Sequence, residues 1–219
     1  MISDKDLKRS AFFIFSVVLV ASVAHTQIQS GGYALDDVPR DVSPFGELVC
    51  PEVPLIKYQG TLIRYSRPAR VHPAFAGQLK QFEEVVAQTA VSVFGREPQF
   101  IVQKGSYNCR RVRSIPSLIS EHSLGNALDV YGFKFGPLKK GQILPEGLPG
   151  QFKRGFSVSL LKHWRATSTP GMYYSQFLRQ LAENLVDRPD IFNVMLGPAY
   201  PGHKNHFHFD CANYSLVSI

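Results

Sequence analysis

From residue 74 to 95 the apolar positions Phe75, Leu79, Phe82, Val86, Ala90 and Val93 recur at steps of three or four. That spacing predicts an amphipathic helix with its stripe turned inward, and Gly95 stands where a helix ends. Residues 99–103 hold Phe100, Ile101 and Val102 in a short apolar run that fits a buried strand. A second stripe, Tyr174, Phe177, Leu178, Leu181 and Leu185, predicts another helix, with Thr169 as its N-cap, Pro170 at its first position and Arg188-Pro189 as its stop. Residues 192–196 read as a strand, Gly197-Pro198 as a turn, and 205–210 as a closing strand in which aromatic and polar residues alternate. Helices and strands mix without a βαβ rhythm, so the fold class is α+β.

The start of the chain has a different pattern. Lys5, Lys8 and Arg9 precede an apolar run from Ala11 to Ala24 that only Ser16 and Ser22 interrupt. The run is short for a spanning helix but suits the core of a signal peptide, with Ser22-Val23-Ala24 offering small residues for cleavage before His25. The alternative is an uncleaved anchor in the inner membrane through residues 10–24. Both readings place the rest of the chain outside the cytoplasm, in the periplasm or cell envelope. Residues 25–45, rich in Gly, Ser, Asp and Pro, read as a linker, and 46–219 as one folded domain. A chain of 219 residues with 44% hydrophobic and 19% charged residues has room for one such core and excludes a disordered or fibrous protein.

Export changes the reading of the cysteines and the charge. Cys50, Cys109 and Cys211 remain after residue 24, which in an oxidising compartment suggests one disulfide and one spare thiol; the sequence leaves the pairing open. The net charge of +7 is spread along the chain apart from Arg110, Arg111 and Arg113, so it favours acidic cell-wall polymers or anionic membrane surface over nucleic acid.

Histidine concentrates in two segments, one around His122 and one from His203 to His208. In a strand, residues two apart share a face. His206, His208 and Asp210 therefore face one way and Phe207, Phe209 and Cys211 the other, while Asp129 shares a face with Ala127 and Tyr131, opposite Leu128 and Val130. Two histidines and a carboxylate on a polar face backed by an apolar one form a common three-ligand set for catalytic zinc. His25, His72 and His163 have no such company and carry no assignment.

Ser120-x-His122-x-x-Gly125-x-Ala127-x-Asp129 resembles the SxHxxGxAxD signature of the zinc D-alanyl-D-alanine peptidases. His206-x-His208 resembles their C-terminal HxH, as in penicillin-insensitive murein endopeptidases, which also carry a histidine where His203 stands. Closer still is the bacterial extensin-like C-terminal family, which Tyr107-x-Cys109-Arg110, the run from Ser120 to Asp129, Leu196-Gly197-Pro198 and His206-Phe207-His208-x-Asp210 resemble. The likeness spans residues 46–213. It implies the fold shared by lysostaphin-type enzymes, D-Ala-D-Ala peptidases and hedgehog domains, an antiparallel sheet flanked by helices. It also implies Zn2+ held by His122, Asp129 and His208, with His206 as catalytic partner, His203 as its alternate and Arg110 polarising the substrate carbonyl. The carboxypeptidases place a glutamate before their last zinc histidine, and residues 199–212 contain none.

The implied activity is zinc-assisted hydrolysis of peptide bonds in peptidoglycan stems, of the D,D-carboxypeptidase or D,D-endopeptidase type. Gly125 fits a close approach of backbone to the site or a plain turn, and Ser120 and Asp210 are placed to orient an imidazole. Two readings compete. One is a zinc-containing cell-wall binding or structural module without catalysis. The other is a metal-dependent nuclease, which export and the single compact ligand set disfavour.

Overall fold

A computed structural model describes residues 32–219. The basic-then-apolar start at 1–24 and residues 25–31 lie outside the described residues. Among those described, no helix is long and apolar enough to cross a membrane. In chain order they form strands β1 (Ile56–Tyr58), β2 (Arg64–Tyr65) and β3 (Ala69–Val71), then helix α1 (Pro73–Phe94) and strands β4 (Phe100–Gly105), β5 (Arg111–Val112) and β6 (Ile115–Ile119). A 3-10 turn, Glu121–Leu124, leads into the long strand β7 (Ala127–Phe135). After β8 (Phe156–Ser159) come α2 (Leu160–His163), α3 (Gly171–Val186), β9 (Val194–Leu196), β10 (Phe207–Asp210) and β11 (Leu216–Ser218).

The architecture is mixed α+β. Seven strands form one sheet in the order β11-β9-β10-β7-β4-β2, with β8 also paired to β7. The pairs are antiparallel except at the two ends, where β11 lies parallel to β9 and β2 parallel to β4. One edge of β7 is shared: its first residues pair with β10 and its last with β8. The helices α1 and α3 cover the other face of the sheet, and the core between them is aromatic. Phe82 of α1 meets Phe192 and Phe209, and Phe177 of α3 meets Phe133 and Phe135.

The predicted helices and strands are present, with their ends adjusted by local chemistry. His72 caps α1, its Nδ1 accepting from the Ala74 N–H, and Gly95 closes the helix in the left-handed conformation at φ 68°. Thr169 is not the cap of α3. The helix begins one residue later than expected, and the Met172 N–H is satisfied by the Ser168 carbonyl instead of the Thr169 hydroxyl.

The linker expected over 25–45 is, from Tyr33 onward, a strap packed on the domain. Leu35 is buried with Ile119 and Leu124, and the Arg40 carbonyl accepts from the Ile119 N–H. Arg111 donates to the carbonyls of Ser43, Phe45 and Gly46, and a disulfide joins Cys50 to Cys109, leaving Cys211 free and buried. Polar composition concealed the packing, because one buried leucine, a few partly buried neighbours and a few backbone bonds hold so short a segment.

The inward and outward alternation of β7 changes phase midway. Val102 of β4 pairs with Gly132 and Gln103 with Val130, so Tyr131 is an extra residue, and Lys104 is skipped in the same way on β4. Such bulges re-aim side chains. Leu128 and Val130 face the core before the bulge, and Phe133 and Phe135 after it. The outer face receives Asp129 and Tyr131 side by side.

Candidate metal centre

The register of β7 against β10 sets His208 directly opposite Asp129. Facing residues of neighbouring strands have Cβ atoms roughly 5 Å apart, close enough for side chains to share one ion. Phe207 and Phe209, the alternate positions of β10, are fully buried in the aromatic core and fix which face the imidazole takes. His122 arrives from the 3-10 turn just before β7. Its turn is started by Ser120, whose Oγ accepts from the His122 N–H, and closed by Gly125 at φ 62°. A Cβ on Gly125 would lie 2.8 Å from the His72 N, so the glycine serves a turn pressed against the end of β3 rather than an approach to the site. Ser120 likewise caps the turn and does not orient an imidazole.

Three atoms converge. His122 Nε2 is 3.2 Å from His208 Nδ1 and 3.3 Å from Asp129 Oδ1, and His208 Nδ1 is 3.0 Å from the same Oδ1. The far sides of the rings decide what these atoms can be. His122 Nδ1 lies 2.5 Å from the Ser106 carbonyl, and His208 Nε2 lies 2.7 Å from Asp210 Oδ2. A carbonyl and a carboxylate only accept, so those ring nitrogens carry the protons, and in neutral rings the inward nitrogens are bare lone pairs. Two bare nitrogens and a carboxylate oxygen facing one another repel unless a cation sits among them. Ligand atoms around tetrahedral zinc lie roughly 3.3 Å apart, given bonds of about 2.0–2.1 Å, so the observed spacing fits. The residues His122, Asp129 and His208 suit Zn2+ in type, number and separation.

Without a metal, a proton takes the cation's place. Burial alone would lower the pKa of His208, but its hydrogen bonds to Asp129 and Asp210 outweigh burial and bring it up to about 9. For Asp129, burial favours the neutral acid, yet the hydrogen bonds from His122 and His208 win and hold it far below the usual carboxylate range. Gly105 makes room for that carboxylate: a Cβ there would meet Asp129 Oδ2 at 2.2 Å.

Around the cluster, His206 Nε2 lies 3.7 Å from Asp129 Oδ1, beyond hydrogen-bond reach. Its Nδ1 donates to Asn205 Oδ1 at 2.8 Å, leaving Nε2 bare, and its ring stacks on Tyr131 with centroids 5.1 Å apart. Burial pushes the His206 pKa down to about 4, so the ring is neutral at pH 7 but a weaker base than the reference value of about 6.5 implied. His203 lies with its ring 4.7 Å from His206 and 5.8 Å from His208, its Nδ1 donating to the Pro201 carbonyl. Its pKa is also lowered by burial.

Arg110 lines the same cleft as His122 and Asp129, its backbone held by the Ser123 hydroxyl. Arg111 points away, into the strap. Glu121 is engaged: Arg40 meets it at 2.9 Å and Asn126 Nδ2 at 2.6 Å, while the Tyr33 hydroxyl holds Asn126. The strap thus steadies the turn that carries His122. His72 and His163 each accept a backbone N–H at a helix start and stand outside the three-atom cluster, as their isolation in the sequence suggested.

Four contributors escaped the sequence reading. Ser106 acts through its carbonyl, which no side-chain pattern reports. Asn205 precedes an HxH and has the form of ordinary loop chemistry. Tyr131 and Lys104 stand at the paired bulges, Lys104 Nζ sitting 4.7 Å from the Tyr131 ring centre. Alternation in β7 did mark Tyr131 as a neighbour of Asp129, which was the available signal.

No curated protein and no solved structure shows significant similarity to the chain. The family model described as extensin-like protein C-terminus matches residues 27–219, which include the strap, the disulfide and every residue of the cluster, and the chain belongs to that family.

Proposed function

We propose that this protein is a zinc-dependent hydrolase of peptide bonds in peptidoglycan, acting in the cell envelope as a D,D-carboxypeptidase or D,D-endopeptidase. The observation that carries the reading is the convergence of His122 Nε2, Asp129 Oδ1 and His208 Nδ1, with the other nitrogen of each ring committed as a donor. The resemblance of Ser120 to Asp129 and of His206-x-His208 to the zinc D-alanyl-D-alanine peptidases supports the substrate and a fold of the hedgehog and D,D-peptidase kind.

Zinc in this cluster would polarise a carbonyl and bring the pKa of water to about 7. The chain's own residues supply the rest. His206 Nε2, bare and beside the cluster, takes a proton and returns it to the leaving amine. Arg110, in the cleft with His122 and Asp129, holds the carbonyl oxygen as negative charge builds on it. His203 is the alternate base. Glu121, committed to Arg40 and Asn126, is not available for the role.

The test is digestion of purified peptidoglycan followed by mass spectrometry of the muropeptides, with zinc counted in the same samples. Wild type is expected to hold about one zinc per chain and to release shortened or uncrosslinked stems. His206→Ala should keep the zinc and lose at least ~100-fold in rate, the scale of a general base. A wild type that binds zinc and peptidoglycan but releases nothing would establish the non-catalytic module instead, a reading favoured by the depressed pKa of His206.

A further inference from the structure

Two clefts open on the outer face of the sheet. The first, about 470 Å3, is lined by Arg67, Arg70 and Arg110 and reaches His122 and Asp129. The second, about 280 Å3, lies over Val102, Tyr131, Val158 and Leu161. Lys104 lines both, so they meet where its ammonium sits over the Tyr131 ring, the ring on which His206 stacks. A chain running from one cleft to the other passes Asp129 and Tyr131.

The clefts differ in chemistry. Among the described residues, Arg67, Arg70, Lys104 and Arg110 form no ion pair. The one acid of the first cleft, Asp129, is taken by the imidazoles. Four like charges around one cavity favour an anionic occupant. Buried beside them, Gln103 donates through Nε2 to the carbonyls of Arg67 and Pro68, which leaves its Oε1 without a partner. That oxygen is closed to solvent, and the two Nε2 bonds fix the Arg67–Pro68 backbone along the wall of the cleft. The second cleft offers aliphatic and aromatic walls, with Leu161 left 67% exposed at its edge.

We propose that one peptide lies across both clefts, with its carboxylates at Arg67 and Arg70, the scissile carbonyl at Arg110 and an aliphatic stretch over Tyr131 and Leu161. The bond presented to His122, Asp129 and His208 then has chain on both sides. This rests on the proposed function and narrows it to internal cleavage: water adds across the C–N bond, leaving a carboxylic acid on one arm and an amine on the other, and both products are peptides of several residues. A site for terminal trimming would need only the first cleft.

Two synthetic stems test the inference: a cross-linked dimer and the matching pentapeptide ending in D-Ala-D-Ala. The dimer should be cut with kcat/KM at least ~10-fold higher, the equivalent of about 1.4 kcal/mol from the second arm. A pentapeptide trimmed as fast as the dimer is cut overturns the proposal. Calorimetric binding of uncleavable versions, with the scissile amide replaced by a methylene ketone, reads the clefts without turnover. Arg67→Glu with Arg70→Glu should weaken both ligands ~10-fold or more. Leu161→Asp should weaken the dimer several-fold and leave the pentapeptide unchanged. These side chains are exposed, and unchanged melting temperatures will show that the variants fold. If both sets of changes act as described and no peptide is cut, the hydrolytic reading fails and the two-cleft site stands. If Leu161→Asp leaves the dimer unaffected, or a single-stranded oligonucleotide displaces it more readily than free pentapeptide does, the two-cleft peptide site is wrong.

Discussion

Strand β10 has two faces one residue apart, and they differ as materials. Phe207 and Phe209 are fully buried, and Phe209 stacks on Phe192 at 4.9 Å and meets Phe82 at 5.2 Å. His208, between them, turns the other way into a cluster of groups that repel one another unless a cation joins them. The inner face gains from burial of any well-fitted apolar surface, and its interactions hold whatever the pH or metal content. The outer face is conditional. Its geometry is kept by hydrogen bonds on the far sides of the rings, and its energy depends on what occupies the middle. The contrast predicts that the two faces fail separately.

The largest effect should come from the inner face. Phe209→Ala removes a ring packed against three others and should cost about 3–5 kcal/mol, lowering the melting temperature by roughly 10 °C for a domain of this size. Urea midpoints measure the loss. Zinc content of the protein still folded should remain near that of wild type. Zinc lost in proportion to stability would mean that the faces are not independent.

The outer face should answer to pH instead. In metal-free protein His208 titrates near 9, against about 6.5 when unfolded. A raised folded pKa contributes stability that is complete below pH 6.5 and is lost as pH climbs through 9. The loss should be about 3 kcal/mol over that window. Zinc binding must displace the same proton, so its affinity should rise with pH by up to tenfold per unit until about 9. Denaturant midpoints at pH 6, 7.5 and 9.5, with and without zinc, will show a slope for the metal-free protein and almost none for the loaded one. Parallel slopes would break the assignment of His208 as the group that exchanges a proton for metal.

The same contrast explains how much the sequence could show. Inner-face order comes from periodic burial, so the stripes of α1 and α3 and the alternation of Phe207 and Phe209 were legible. The residues of the cluster were legible too, because alternation put His208, Asp210 and Asp129 on one face and the HxH and SxHxxGxAxD spacings stand out. What periodicity cannot carry is a change of phase. The bulges at Tyr131 and Lys104 depend on pairing between β4 and β7, which are separated in sequence by the hairpin of β5 and β6. The strap was hidden for a related reason: Arg40 and Tyr33 have value only because Glu121 and Asn126 lie across from them. Ser106 contributes a backbone atom, to which composition is blind.

The smallest predicted effect sharpens the comparison within the cluster itself. The two imidazoles are oriented by unlike partners. His122 donates to the Ser106 carbonyl, a fixed backbone dipole, whereas His208 donates to Asp210, a full charge that is also held by the Ala212 N–H. A carboxylate behind a ligating imidazole makes the ring more electron-rich as well as fixing its angle. Asp210→Asn retains an acceptor of nearly the same shape, so the fold and the ring orientation should survive while the charge is lost. Zinc affinity should then fall by about tenfold, the low end of the range for such partners. Asp210→Ala removes the acceptor too and should fall toward about a hundredfold. Competition against a chelator of known affinity measures both. Equal losses for Asn and Ala would mean that orientation matters and the charge does not. No loss in either would leave His208 positioned by its strand alone, with Phe207 and Phe209 sufficient to aim it.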